Sequence, residues 1–210
     1  MNQKAARLKL ATGMNSAGNA GVLRTISLEG TAVAVWHRTP CASFQAWIDQ
    51  LPLERMPVLR TLVAVDAAEN AVLAACASAG TPDEPARQKL AGDVATLARI
   101  FAETLAQPFL RLNLDVVRAD VSPMFRMAEG RARLFCTYRG RGMQFGAARP
   151  NGPPKEILEL PTCSATIFRG LLWPSKEFPG IVHRPPPMER RGETQLLLVI
   201  DPVDDIAGNG

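Results

Sequence analysis

Between Phe125 and Phe145 the chain alternates in character. Arg131, Arg133, Phe135 and Thr137 fall on one side; Ala132, Leu134, Cys136 and Tyr138 fall on the other. A period of two is the signature of a strand, here with arginines on one face and small or apolar groups on the opposite one. Gly140 and Gly142 follow, suited to a tight reversal. The stretch reads as a strand, a glycine turn and the start of a second strand.

The same reading extends along the chain. Thr31–Trp36 is predicted as a short buried strand. Ser43 is placed to cap a helix whose Phe44, Trp47, Ile48 and Leu51 recur at helical spacing, with Pro52 and Pro57 bounding it. Val58–Val65 suits a strand and Ala67–Ala79 an alanine-rich helix. The next helix starts between Thr81 and Glu84, because Pro85 lacks the N–H that a deeper helical position must donate. Its stripe is Leu90, Val94, Leu97, Phe101 and Leu105.

After Pro108 the period shortens. Leu110, Leu112, Leu114 and Val116 alternate with Arg111, Asn113 and Asp115, as in a half-buried strand. Short strands follow at Ala132–Tyr138, Met143–Ala147, Ile157–Leu160, Ala165–Phe168, Ile181–His183 and Gln195–Ile200, with Pro and Gly between them. Leu196–Ile200 is apolar throughout and is expected to be central. The fold class expected is α+β: N-terminal helices packed on a C-terminal antiparallel β-barrel or jelly roll. The expected organisation is a flexible basic tail over residues 1–30 and one domain over 31–201. Residues 31–107 of that domain are mainly helical and 108–201 mainly β. A loose tail is expected over 202–210.

Composition narrows the function classes. No apolar run is long enough to span a bilayer, and the basic N-terminus lacks the apolar core of a secretory signal, so the expectation is a cytoplasmic protein without membrane contact. The net charge of +4 and pI near 9.1 are mild, and RGRG occurs once inside a strand–turn pattern. That footprint makes a nucleic-acid-binding module only a third-ranked reading. Cys41, Cys76, Cys136 and Cys163 are far apart, with no CxxC pair, which argues for free thiols. Dinucleotide, phosphate-loop, serine-hydrolase and zinc-protease motifs are all absent. Two histidines, His37 and His183, rule out a three-histidine metal site. They leave open a rearranged site built from both plus an acid. Arginines on a strand face, with Arg139 beyond it, suit capture of a carboxylate or phosphate.

The segments RLFCTYRGRG, IFRGLLWP, IVHRPPP and TQLLLVID, in this order, resemble an uncharacterised bacterial family, domain of unknown function 1826. AVWHRTP and the long helix running into LRLNLDVV are similar too. The resemblance covers nearly everything after Thr31 and implies a link to metal homeostasis. It also implies a Phe-His-x-Asp sequence where this chain has Phe125, Arg126, Met127 and Ala128, and a distant histidine at His183. A His-x-Asp with a later His looks like the iron ligand set of double-stranded β-helix oxygenases. Further departures are Arg141 and Met143 in the turn, Cys163–Ser164 in place of Gly-Asp, and Gln195 in place of an arginine. Arginine cannot shed its proton to become a ligand, and alanine has no donor atom. The resemblance therefore implies a non-catalytic or vestigial member, with neither metal nor other cofactor expected. It would bind a small anion or a partner protein through Arg126, Arg133, Tyr138, Arg139, His183 and Arg184. The alternative is an iron- or zinc-dependent oxygenase-like enzyme with a rearranged site using His37 and His183.

Overall fold

A computed structural model describes residues 9–118, 123–187 and 193–203. In chain order the elements are β1 (Lys9–Ala11), β2 (Gly13–Ala17), β3 (Thr31–Trp36), α1 (Ala42–Gln50), β4 (Leu59–Ala64), α2 (Ala68–Ser78), α3 (Pro85–Leu105), β5 (Phe109–Arg118), β6 (Ala132–Arg139), β7 (Gln144–Ala147), β8 (Leu158–Glu159), β9 (Ala165–Arg169), β10 (Glu177–Pro179), β11 (Ile181–Arg184) and β12 (Thr194–Pro202).

A seven-stranded sheet runs β2-β3-β9-β6-β12-β5-β4, and a separate sheet runs β11-β7-β8. Neighbours pair antiparallel except β2 with β3, and β1 with β10 in a third small sheet. The large sheet is covered on both faces. Against one face lies α3, whose Leu90, Val94, Leu97 and Phe101 are fully buried on Leu112 and Leu114 of β5, Leu134 of β6 and Leu198 of β12. Against the other lies a second core of Phe135, Phe168, Phe145, Met143, Leu160, Ile181 and Leu197, filling the space toward β7 and β11. The all-apolar β12 is central, between β6 and β5, as a strand buried on both faces must be.

The barrel expectation is corrected by this arrangement. The large sheet ends at β2 and β4, and the three-stranded sheet is separate, so the two form an open jelly-roll sandwich rather than a closed barrel. The reversal between β6 and β7 carries the chain from one sheet to the other. It runs so close to its neighbours that a Cβ at Gly142 would lie 1.9 Å from the Leu160 carbonyl oxygen, and Gly140 sits at φ +83°.

The N-terminal expectation is corrected as well. Residues 9–30 are built into the fold rather than forming a tail. β1 pairs with β10, β2 pairs with β3, and a 3-10 helix over Ala20–Ser27 buries Val22, Leu23 and Ile26. Arg169 fastens the segment. It is 3% exposed and donates to the carbonyls of Ile26 (2.9 Å) and Leu28 (2.5 Å), while pairing with Glu177 at 3.1 Å. Glu177 in turn accepts from the Gly30 N–H. Residues 1–8 and 204–210 of the two expected tails lie outside the described residues, whereas Pro202 closes β12.

Two helix starts are also sharpened. The N-cap of α1 is Cys41, in extended backbone, with Ser43 already inside the first turn. The N-cap of α3 is Glu84 and Pro85 occupies the first helical position, where its missing N–H costs nothing. Among the described residues no helix is long and apolar enough to cross a membrane.

Phe101 joins α3 to the large sheet, so Phe101→Ala is expected to lower unfolding stability by about 3–5 kcal/mol, read from urea titration. A loss under about 1 kcal/mol would show that this helix face is not part of the cooperative core.

Candidate functional site

Strand β6 sorts its residues between the two cores. Leu134, Cys136 and Tyr138 face the helices, and Phe135 faces the jelly-roll interior. Arg133 and Tyr138, five residues apart, accordingly serve different environments. Arg133 meets Asp201 of the adjacent strand β12 as a two-pronged pair, Nε to Oδ1 at 2.5 Å and Nη2 to Oδ2 at 3.1 Å. Tyr138 is buried under the helices, and its hydroxyl donates to Asp93 Oδ2 at 2.7 Å. Burial, then the neighbouring Asp93 carboxylate, holds this phenol well above its ordinary pKa.

His183 lies on the other side of the sheet from Tyr138. Its ring stacks on Phe168 at 5.0 Å and tilts against Phe135 at 4.9 Å. It is 3% exposed, and its Nδ1 has no hydrogen-bond partner. Desolvation, reinforced by the charges of Arg133 and Arg126, lowers its pKa to about 3. Directly across from it sits Arg126. The two residues exchange both backbone hydrogen bonds, Arg126 N to His183 O at 3.0 Å and His183 N to Arg126 O at 2.8 Å. Such a pair projects its side chains from the same face. Ala128, two residues on and buried, shares that face. The structure therefore brings Arg126, Ala128 and His183 together, with Arg133 close enough to bias the imidazole.

The remaining expected residues disperse. β12 shifts register against β6 between Leu196 and Leu197, so that Leu196 faces Arg139 and Leu197 faces Thr137. The bulge turns Arg139 toward the helices, where Nη1 donates to the carbonyls of Ile48 (3.3 Å) and Leu51 (2.8 Å) and caps the end of α1. Arg184 lies over the ring of Phe125 at 4.3 Å and donates to Gln144 at 3.0 Å. Tyr138 and Arg139 are thus not part of one pocket with Arg126 and Arg133. The rearranged histidine site is not assembled either. His37 is exposed at the end of β3, beside a cavity of about 600 Å³ that also contacts Trp36, Asp93 and Tyr138, whereas His183 is enclosed on the opposite side of the sheet.

That helix-side cavity holds the polar network that sequence reasoning missed. Arg38 pairs with Asp93 Oδ1 at 2.5 Å, donates Nε to the Cys163 carbonyl at 2.8 Å and lies over Trp36 at 4.9 Å. Asp93 sits off the apolar stripe of α3, so periodicity marked it only as solvated. The HRTP and TYRG segments were the available signal, since each supplies one partner of Asp93. At the rim, hydrogen bonds from Ser43 and the Phe44 backbone, together with the Lys89 ammonium, lower the pKa of the exposed Cys41 thiol.

Iron, which an oxygenase of this architecture would use, needs several donors around one point. His183 is a suitable donor, but Arg126 and Ala128 are not. Among the described residues no group of three or more His, Cys, Asp or Glu is arranged to hold a metal ion. Among the described residues, the donors beside His183 do not make a set that fits the metal.

No functionally curated protein matches the chain. Solved structures do. Dioxygenase for auxin oxidation 1 from Arabidopsis thaliana, in a 2-oxoglutarate complex, aligns over 94% of each chain at 13% identity with a TM-score of 0.52. The rice dioxygenase for auxin oxidation aligns over 90% of this chain and 82% of its own at 14% identity, TM-score 0.46. A full-length Neurospora crassa protein in complex with alpha-KG aligns over 96% of this chain and 86% of its own at 15% identity, TM-score 0.43. At such identities the likeness is one of fold, an oxygenase-like jelly roll. The sequence profile described as protein of unknown function DUF1826 matches residues 17–201, and the chain belongs to that family.

Proposed function

We propose that this chain is a jelly-roll binding protein whose mouth takes a small anion in place of the metal of an oxygenase. The observation that carries the reading is the backbone bridge of Arg126 with His183. It puts a permanent cation across from an imidazole that stays neutral at physiological pH, while the Arg133 guanidinium close by is already paired with Asp201. Positive charge favours a carboxylate or phosphate and opposes a divalent ion. A second reading, a metal-dependent oxygenase-like enzyme, draws on the fold shared with the auxin dioxygenase and on the unpartnered Nδ1 of His183.

Metal analysis after dialysis separates the two. The parent protein is expected to retain neither iron nor zinc at one equivalent near neutral pH. The double variant Arg126→His with Ala128→Asp places two donors on the face that His183 shares, and is expected to gain metal. His183→Ala in that background should abolish the gain. Stoichiometric metal in the parent would refute the binding-protein reading. For the anion itself, calorimetry with inorganic phosphate and with succinate is expected to show binding that Arg126→Ala weakens. Absence of heat with both would remove it.

The buried imidazole also sets a pH dependence. Its folded pKa, about 3, is below the unfolded value near 6.5, so the unfolded chain binds the proton more readily between them. The stability associated with His183 is full above pH 6.5 and is lost as pH falls toward 3. The slope approaches about 1.4 kcal/mol per pH unit. His183→Phe preserves the ring stack and removes the titration. The variant should match or exceed the parent at pH 7 and lose less stability at about pH 4.5, by denaturant unfolding at both pH values. Parallel pH profiles for parent and variant would mean that His183 is not buried in its neutral form.

A further inference from the structure

We propose that the cavity between the ends of β3 and β6 and the helices α1 and α3 binds a small aromatic carboxylate, its ring against Trp36 and Phe44 and its anion on the Lys89 ammonium. The cavity measures about 600 Å³, within the range of small-molecule sites. None of Arg126, Arg133 and His183 lines it, so this inference stands apart from the reading of the jelly-roll mouth.

A closed series of contacts holds these walls around one space. Arg38 lies over the Trp36 ring at 4.9 Å and pairs with Asp93. Lys89 precedes Asp93 by four residues on α3, so the two leave one face of the helix, roughly one turn apart. Lys89 Nζ reaches the Cys41 sulfur at 3.6 Å, at the N-cap of α1. Phe44, in the first turn of that helix, packs edge-on against Tyr138 at 6.3 Å. Tyr138 completes the circuit through its hydroxyl bond to Asp93. Every one of these side chains lines the same cavity.

Charge selects an anion. Asp93 accepts from Arg38 at 2.5 Å and from the Tyr138 hydroxyl at 2.7 Å, and Arg38 donates further to the Cys163 carbonyl and the Cys136 sulfur. That pair is balanced within the wall. Lys89 is not. It is exposed, and among the described residues it forms no ion pair; its hydrogen bond there is the long contact to Cys41. An ammonium has three donors, so two are left for a ligand. Of Arg38, Lys89 and Asp93, the first and last cancel and the lysine charge is left over, beside aromatic rings. A carboxylate answers the charge, and a flat apolar body answers the rings.

Calorimetric titration of the full chain with sodium benzoate tests the site, against benzyl alcohol, which lacks the charge, and acetate, which lacks the ring. Benzoate is expected to bind saturably at one equivalent, and each control at least about tenfold more weakly. Lys89→Met removes the ammonium at an exposed position, so it should leave the melting temperature unchanged and weaken benzoate about tenfold. Trp36 reports on the ring. Benzoate should change the tryptophan emission of the parent, and Trp36→Phe should lose that change. No saturable heat with benzoate would overturn the proposal. Equal affinity for benzyl alcohol would overturn the role of the ammonium, and equal affinity for acetate that of the rings. Undiminished affinity in Lys89→Met, or an emission change that survives Trp36→Phe, would place the anion elsewhere, the jelly-roll mouth included, and overturn this assignment.

Discussion

A sheet that must be covered on both faces is the constraint on which this structure depends. β6 lies well inside the large sheet, between β9 and β12, so each of its side chains is committed either to the helical layer or to the jelly-roll interior. That division separates the chemistry into two compartments. Tyr138, Asp93 and Arg38 form a closed set beneath the helices; His183, Phe135 and Phe168 form another between the sheets. No side-chain rearrangement joins them, because the backbone of the sheet stands between. Substitutions on one side of the sheet can therefore be made without disturbing the polar contacts on the other.

Electrostatics then decides what the interior can hold. An imidazole enclosed by aromatic rings already resists protonation, and two guanidiniums add to that resistance. A divalent ion beside His183 would be opposed by the same charges. In the metal site that the resemblance implies, a carboxylate would offset the charge of the ion, and the matching position here carries the methyl group of Ala128. Arg126 and Ala128 thus act in one direction. Arg126 contributes a cation and Ala128 contributes no anion.

How much of this was legible in the sequence follows from how local each signal is. The stripe of α3 and the alternation of β5 and β6 were read correctly because burial on one face leaves a periodic trace. β12 was recognised as central because burial on both faces leaves an unbroken apolar run. Residues 9–17 left no such trace. GMNSA in β2 is polar and mostly exposed, and its place is set by pairing with β3 rather than by its own pattern. Arg139 was misassigned for a different reason. Parity along β6 puts it with Arg133, but the register shift beside Tyr138 reverses the face, and a bulge has no periodic signature. His37 and His183 could not be placed relative to one another from spacing, since only the strand order reveals that they serve opposite faces. The Arg126–His183 backbone bridge could not be read from spacing, as the two lie 57 positions apart.

Cys163 shows how a side chain is accommodated at a left-handed backbone position. The resemblance implies glycine there, and the backbone indeed adopts φ +66°, a left-handed conformation that disfavours a side chain. The geometry is retained because both backbone groups are engaged: the N–H donates to the Thr137 carbonyl at 2.7 Å, and the carbonyl accepts from Arg38 Nε at 2.8 Å. The thiol is buried and its pKa is raised to about 11, so it behaves as a small apolar group. Thr137 also accepts from Gln195 through its hydroxyl. One residue of β6 thus braces the left-handed Cys163 with its carbonyl on one side and the Gln195 amide with its side chain on the other. Cys163 and Gln195 are thus mechanically joined through Thr137.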